Sequence, residues 1–355
     1  MTQPTCIDDL PEPIDHPAAW IGLDMASNTD QWLITLSTEQ IVEIEAAAVH
    51  FLSLNRDLGE IDASDFPLPS FKAHLETLRN KLVRGNGVEV IRGLQAGKYE
   101  RKFVATIFCG LGAHLGIARS QNAEGHILGH VRDTGADANA TDTRIYQTAE
   151  RQTFHTDSAD VVGLLCLKNA KEGGESLLVS ALSIYNRMYD ERPDLLLLLF
   201  DPIATDRRGE IPPGAKPFVE IPVLSWHAGF LTVFYQRQYI DSAQRFEGSL
   251  QLTQKHIEAL DMFDALANDS QMHFGMHLQP GDIQFIYNHN QLHDRTGFTD
   301  WPEPENRRHL MRLWLSIEGD RPLPDSFAER YGSIEIGNRG GIVTESTRLH
   351  APINI

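Results

Sequence analysis

Residues 154–160 read Phe154-His155-Thr156-Asp157-Ser158-Ala159-Asp160, FHTDSAD. In an extended strand, side chains i and i+2 leave the same face. His155 and Asp157 would then project together, with Thr156 turned away. An imidazole and a carboxylate at that spacing can take adjacent positions on one octahedral metal ion. A third ligand must come from another strand. Two imidazoles and a carboxylate that leave three positions open suit Fe(II) used for oxygen chemistry. Asp160 stands at an odd offset from Asp157 and falls on the opposite face. Ser158 is on the wrong face for a ligand, yet near enough to the rim to touch a substrate.

The rest of the chain is consistent with a strand-based scaffold around that motif. Its 355 residues are 41% hydrophobic, enough for a large core. With 31 Lys+Arg against 49 Asp+Glu the formal charge is −18. Such a surface repels phosphate backbones and anionic lipid, so no nucleic-acid or membrane partner is expected. Cys6, Cys109 and Cys166 are sparse and lack paired spacing, which suggests a reducing, cytoplasmic compartment without disulfides. The apolar run 195–200 is too short to span a bilayer, and the first residues lack signal-peptide features.

Residues 1 to 30 read as an irregular, Pro- and Asp-rich arm. Ser37-Thr38-Glu39-Gln40 is a capping-box pattern opening an amphipathic helix. Further helices are expected from Ser70 to Gly85 and over 98–116, with a β-branched strand at 87–94 between them. From about 140 the chain turns to short β-type runs with helical insertions at 181–200 and 253–269. Tyr235, Arg237 and Tyr239 alternate as on a strand. The expected class is mainly β with α insertions, a single α+β domain over 1–355. It divides into a helical part at 1–85, a sandwich or jelly-roll core at 87–320 and a tail at 321–355.

Of fifteen histidines, His50, His74 and His256 lie in amphipathic helices and His227 at a turn. His289 and His293 lie in NHNQLHDRTGF after a Pro-Gly turn and an apolar strand, and His293 is the better third ligand. Arg308 and Arg312 follow in RRHLMRLW. On a strand they share one face with Leu310 between them. Two guanidiniums facing a barrel interior are costly unless they meet carboxylates. A dicarboxylic cosubstrate would supply one, through a bidentate fork; pairing with Asp294 or other acids is the plainer account.

In this order the motifs resemble the TauD/TfdA (taurine dioxygenase) family of Fe(II)/2-oxoglutarate-dependent dioxygenases. GVEVIRGL, FHTD, EGGESLLVSALSIY, LQPGDIQFIYNHNQLHDR and RRHLMRLWL carry the likeness, from about residue 87 to 319. The resemblance implies a double-stranded β-helix (a jelly roll, clavaminate synthase-like) with N-terminal helices. It implies His155, Asp157 and His293 as iron ligands. Arg308 would hold the distal carboxylate of 2-oxoglutarate, with Ser176 adding a hydroxyl, and Arg312 would share the cosubstrate or hold an anionic substrate group. O2 is the further cosubstrate, and succinate and CO2 are products. Asp294 stands where the family often has a small residue, and Ser176 replaces the commoner threonine. The intact HxD carboxylate argues against halogenation.

A small polar substrate is expected, such as an amino acid, a carboxylate or a sulfonate. Gln121, Asn122, Tyr146, Gln147, Arg151, Arg207 and Ser158 are candidate contacts, and 205–218 reads as a lid. A homo-oligomer is left open. Another cupin-like metalloenzyme would not need the arginine strand, and an inactive binding module would show a broken triad.

Overall fold

In a computed structural model of the chain, two β-sheets face each other and helices cover their outer sides. Residues 3–138, 140, 143–212, 214–343 and 347–353 are described. The larger sheet runs, in order, Leu33–Thr35, Val88–Arg92, Ile283–Tyr287, Val161–Lys168, His309–Ser316 and Ile117–Arg119, with Leu128–Val131 also paired to His309–Ser316. The smaller one runs His273–Met276, Ser176–Ser180, Gln291–Arg295, Gln152–His155. Apart from the parallel pair of Leu33–Thr35 with Val88–Arg92, the pairings in both sheets are antiparallel. This is the expected jelly roll.

Strand periodicity sets which side chains reach the interior. On His309–Ser316, Leu310 and Trp314 pack between the sheets with Val88, Val162, Leu178 and Ile286. Met311, Leu313 and Leu315 face outward, against Phe108, Leu111 and Leu115 of helix Arg101–Leu115. Arg312, between Leu310 and Trp314, is thereby carried into the sandwich. The outer face of the smaller sheet is covered by Ala181–Glu191 and Gln254–Ala267, which bury Phe154, Val179 and Leu292. Helix Thr38–Ser53 starts with the expected capping box, with Ser37 Oγ accepting from Gln40 N at 3.2 Å and Gln40 Oε1 from Ser37 N at 2.8 Å.

Two expectations change. The N-terminal segment is no loose arm: it contains helix Gly22–Ser27, and Trp20 and Trp32 fill the core between the sheets. Tyr235, Arg237 and Tyr239 do not share a strand, because Arg237–Ala243 is helical and Arg237 pairs with Asp241, Asp261 and Asp264. Residues 321–342, within the stretch read as a C-terminal tail, are tied into the barrel.

That tie is a buried charge network. Arg339, fully buried, donates from Nε to Asp160 Oδ1 at 2.7 Å and from Nη2 to Asp320 Oδ2 at 2.8 Å. His289 Nε2 lies 2.7 Å from the same Asp160 oxygen. Burial works against the Asp160 charge, but His289 and Arg339 outweigh it and hold its carboxyl below the usual range. Asp160, His289 and Asp320 could together surround a cation, yet the Arg339 guanidinium already compensates both carboxylates. Asp160 is thus the expected non-ligand, with a structural duty instead. Replacing Arg339 by Met would leave two buried carboxylates uncompensated. Urea unfolding should then show a loss of about 3–5 kcal/mol; a change within about 0.5 kcal/mol would mean that the network does not hold this segment.

Candidate active site

His155 is the last residue of its strand, so Asp157 is not positioned by strand periodicity. A side-chain clamp positions it instead. Asn288 Oδ1 accepts from Asp157 N at 2.9 Å, and its Nδ2 donates to the carbonyls of Asp157 at 2.6 Å and Ala159 at 2.8 Å. Asn288 sits where the chain crosses from the larger sheet (Ile283–Tyr287) to the smaller (Gln291–Arg295). Thr156 is pinned to Tyr235 by backbone and hydroxyl bonds. His293 arrives on the strand next to His155, the two being register partners.

The three side chains converge. One ligand atom from each of His155, Asp157 and His293 lies within 4.8 Å of the others. His155 Nε2 is 4.0 Å from Asp157 Oδ1, and His293 Nε2 is 3.6 Å from Asp157 Oδ2. His155 Nδ1 donates to the Thr153 carbonyl at 2.8 Å, so Nε2 carries the lone pair, which accepts from Gln152 Nε2 at 2.8 Å beside the cluster. Asp157 Oδ2 also accepts from Trp314 Nε1 at 2.8 Å and Arg312 Nη1 at 3.2 Å. Burial opposes its charge, but Arg312 and the two histidines hold its carboxyl far below the usual range. Burial and the neighbouring His293 push His155 down to about 3. At neutral pH the cluster therefore presents an ionised carboxylate and an unprotonated His155 imidazole, the donor set that a divalent metal needs.

The cavity has two lobes meeting at Gln152, His155 and Arg312. One is lined by Ser176, Arg295 and Arg308 and walled by Val131, Leu164 and Leu310. Arg308 is buried there without a carboxylate: Nη1 has no partner among the described residues, and Nη2 reaches only the Gly174 carbonyl at 3.4 Å. Burial pushes it down to about 10. Gly174, at φ +74°, is needed beside it, since a Cβ there would stand 2.8 Å from Arg308 Nε. An unpaired buried guanidinium beside a two-histidine, one-carboxylate cluster fits iron with a dicarboxylic keto acid.

The second lobe is lined by Arg144, Tyr146, Ser158, Arg207, Tyr239 and Arg330, among others. Of the expected contacts, Tyr146, Arg207 and Ser158 are here. Gln121 stands behind, its Oε1 accepting from Arg312 Nε at 2.7 Å. Three expected contacts lie elsewhere. Asn122 closes a turn with His126. The Gln147 side chain folds back on Arg144 N. Arg151 turns outward to pair with Asp294 and Asn268. Asp294 is therefore neutralised by Arg151 and not by Arg295, which donates to the carbonyls of Thr148 and Glu150. In the stretch read as a lid, Arg207 and Glu210 are anchored by ion pairs with Glu329 and Arg144, and residue 213 lies outside the described residues.

Sequence reasoning missed Trp314, Asn288, Arg144 and Arg330. Trp314 was within reach, two residues past Arg312 on the same strand face. Nothing local marks Arg330, which is brought in by the buried tie of Arg339.

A jelly roll in which two histidines and a carboxylate converge is the arrangement of the class of non-heme Fe(II) oxygenases. The profile of the family described as taurine catabolism dioxygenase TauD, TfdA family matches residues 54–314. The chain belongs to that family. It is similar to FR-33289 synthase of Streptomyces rubellomurinus, 30% identical over 333 residues, 92% of this chain and 97% of that protein. A taurine hydroxylase-like protein of Stachybotrys chartarum is 29% identical over 310 residues, 84% of this chain and 79% of its own length. Among solved structures, asparagine oxygenase with Fe(II), 2S,3S-3-hydroxyasparagine and succinate matches with a TM-score of 0.64 at 16% identity, covering 80% of this chain and 93% of that one. The non-heme iron oxygenase OrfP with Fe, succinate and (3S)-hydroxy-L-Arg matches at 0.61 and 14%, covering 80% and 94%. The fold is shared with both. No described helix is long and apolar enough to cross a membrane.

His309, buried against His130, is also pushed down to about 3, by burial first. Both His155 and His309 ordinarily titrate near 6.5. Between about pH 6.5 and about pH 3 each of these two groups therefore binds more proton in the unfolded chain than in the folded one, and its contribution to stability falls as pH falls. Unfolding of the metal-free protein in urea at about pH 7 and about pH 5 should show this loss, and His309→Asn should reduce it. An unchanged difference in the variant would refute the assignment to His309.

Proposed function

We propose that His155, Asp157 and His293 hold Fe(II), that Arg308 and Ser176 hold the distal carboxylate of 2-oxoglutarate, and that the substrate enters the second lobe. The observation carrying this reading is the unpaired, buried Arg308 guanidinium in the cavity that the three ligand side chains share. When bound, iron and 2-oxoglutarate supply O2-dependent oxidation of a substrate C–H bond, most simply hydroxylation, with release of succinate and CO2.

The chain's own residues perform positioning and charge control. Thr153 fixes the His155 tautomer, and Asn288 fixes the backbone that presents Asp157. Trp314 and Arg312 hold the Asp157 carboxylate ionised and oriented. Arg312 is itself gripped by Gln121 and lies over the Tyr146 and Trp314 rings, 4.8 and 4.9 Å from their centroids. It stands between the lobes, where it can contact cosubstrate on one side and substrate on the other. Val131, Leu164 and Leu310 give the cosubstrate lobe an apolar wall beside Arg308, which strengthens the Arg308 interaction. A small polar metabolite suits the second lobe, and the hydroxylated amino acids in the two solved relatives support that size and polarity.

Protein with Fe(II) and 2-oxoglutarate under anaerobic conditions should develop a visible metal-to-ligand charge-transfer band. Arg308→Ala should weaken 2-oxoglutarate binding about tenfold or more, and His155→Ala should abolish iron binding. Absence of the band in iron-loaded protein, together with unchanged cosubstrate affinity in Arg308→Ala, would overturn the reading.

A further inference from the structure

The second lobe carries more positive charge than a metal site requires. Arg144, Arg207, Arg312 and Arg330 line it, and Asp157 is the one carboxylate among the described lining residues. Arg144 pairs with Glu210, and Arg207 Nη2 lies 2.7 Å from Glu329 Oε1. Those two cations are balanced. Arg330 is not: its Nε donates to Ser158 Oγ at 2.8 Å, and no carboxylate of the described residues comes within ion-pair distance of it. Arg312 has only Asp157, whose charge a bound metal would draw on. One guanidinium, Arg330, is thus left over, and Arg312 shares its carboxylate with the metal cluster, in a protein of formal charge −18, an accumulation against the overall trend. Burial and the facing Arg144 and Arg207 also push Arg330 downward, more than the charge of Glu210, which is paired with Arg144, pulls it up.

The geometry adds to the charge count. Arg144 comes from the turn before strand Gln152–His155, Arg207 from the end of strand Ile203–Asp206, and Arg330 from helix Ala328–Tyr331. One planar carboxylate is satisfied by one guanidinium fork. Donors arriving from three separate segments suit a head group with three oxygens. The Ser158 hydroxyl, accepting from Arg330, keeps its own hydrogen to donate.

We propose that this lobe binds a substrate bearing a doubly charged tetrahedral oxyanion, a phosphonate or phosphate monoester, with Arg330 as its principal unpaired partner. The proposal rests on the lobe being the substrate side of the dioxygenase site. It narrows the expected carboxylate or sulfonate to a dianion.

The test uses enzyme loaded anaerobically with Fe(II) and 2-oxoglutarate and titrated with four two-carbon amines that differ in head group. These are 2-aminoethylphosphonate, O-phosphoethanolamine, taurine and β-alanine. One of the two phosphorus compounds should bind about tenfold tighter than taurine and β-alanine, and which one does identifies the linkage. That binding should tighten as pH rises through the head group's second ionisation, about 6 to 7; taurine has no such ionisation. Arg330→Gln should weaken it about tenfold and Arg330→Lys less, with 2-oxoglutarate affinity unchanged in both. Equal or tighter binding of taurine or β-alanine, no binding of either phosphorus compound, or indifference to pH would overturn the proposal, even were the Arg330 variants to misfold. Failure of the charge-transfer band in unsubstituted enzyme would strike the dioxygenase reading instead. The same titrations by calorimetry on Arg308→Ala protein, which lacks the other unpaired guanidinium, then decide the head group separately.

Discussion

The carboxylate of Asp157 is the charge on which the site depends. It is held almost without solvent between two histidines, a tryptophan N–H and a guanidinium. A lone buried carboxylate would take up a proton and lose its value as a ligand. Here the surrounding donors keep it ionised, and it in turn compensates Arg312, the residue between the lobes. Asn288 makes this arrangement possible by fixing a stretch of backbone that has already left its strand. One side chain at a sheet crossover thus sets the geometry of the cluster.

Charge also explains how the two lobes differ. Arg308 is buried with no carboxylate partner among the described residues, an arrangement that destabilises the empty protein and strengthens binding of an anion that fits. The other lobe is wider in its chemistry, with several cations and hydroxyl groups drawn from distant segments. Its composition depends on the C-terminal stretch, which is held by Arg339 between Asp160 and Asp320. The residue three places beyond Asp157 thereby supports the segment that delivers Arg330.

Much of this was legible along the chain. The HxD spacing and the second histidine after a Pro-Gly turn pointed to the cluster, although Asp157 lies beyond its strand and is aimed by Asn288; the paired arginines on an alternating strand pointed to the cavity, because there strand periodicity converts spacing into direction. The same logic succeeded for Arg312 and would have reached Trp314. It failed for Asn122, Gln147 and Arg151, which sit in irregular connections where no period ties sequence to direction. It failed too for Tyr235, Arg237 and Tyr239, where an apparent alternation was the first turn of a helix.

The sequence by itself determined the jelly-roll class and singled out His155, Asp157, His293 and Arg308, since each lies in or beside a strand whose pattern is local. Only the tertiary structure decided how Asp157 is aimed, that Arg308 lacks a carboxylate among the described residues, and which arginines surround the second lobe. Those outcomes depend on segments far apart in the chain, joined by buried hydrogen bonds and ion pairs that leave no periodic trace.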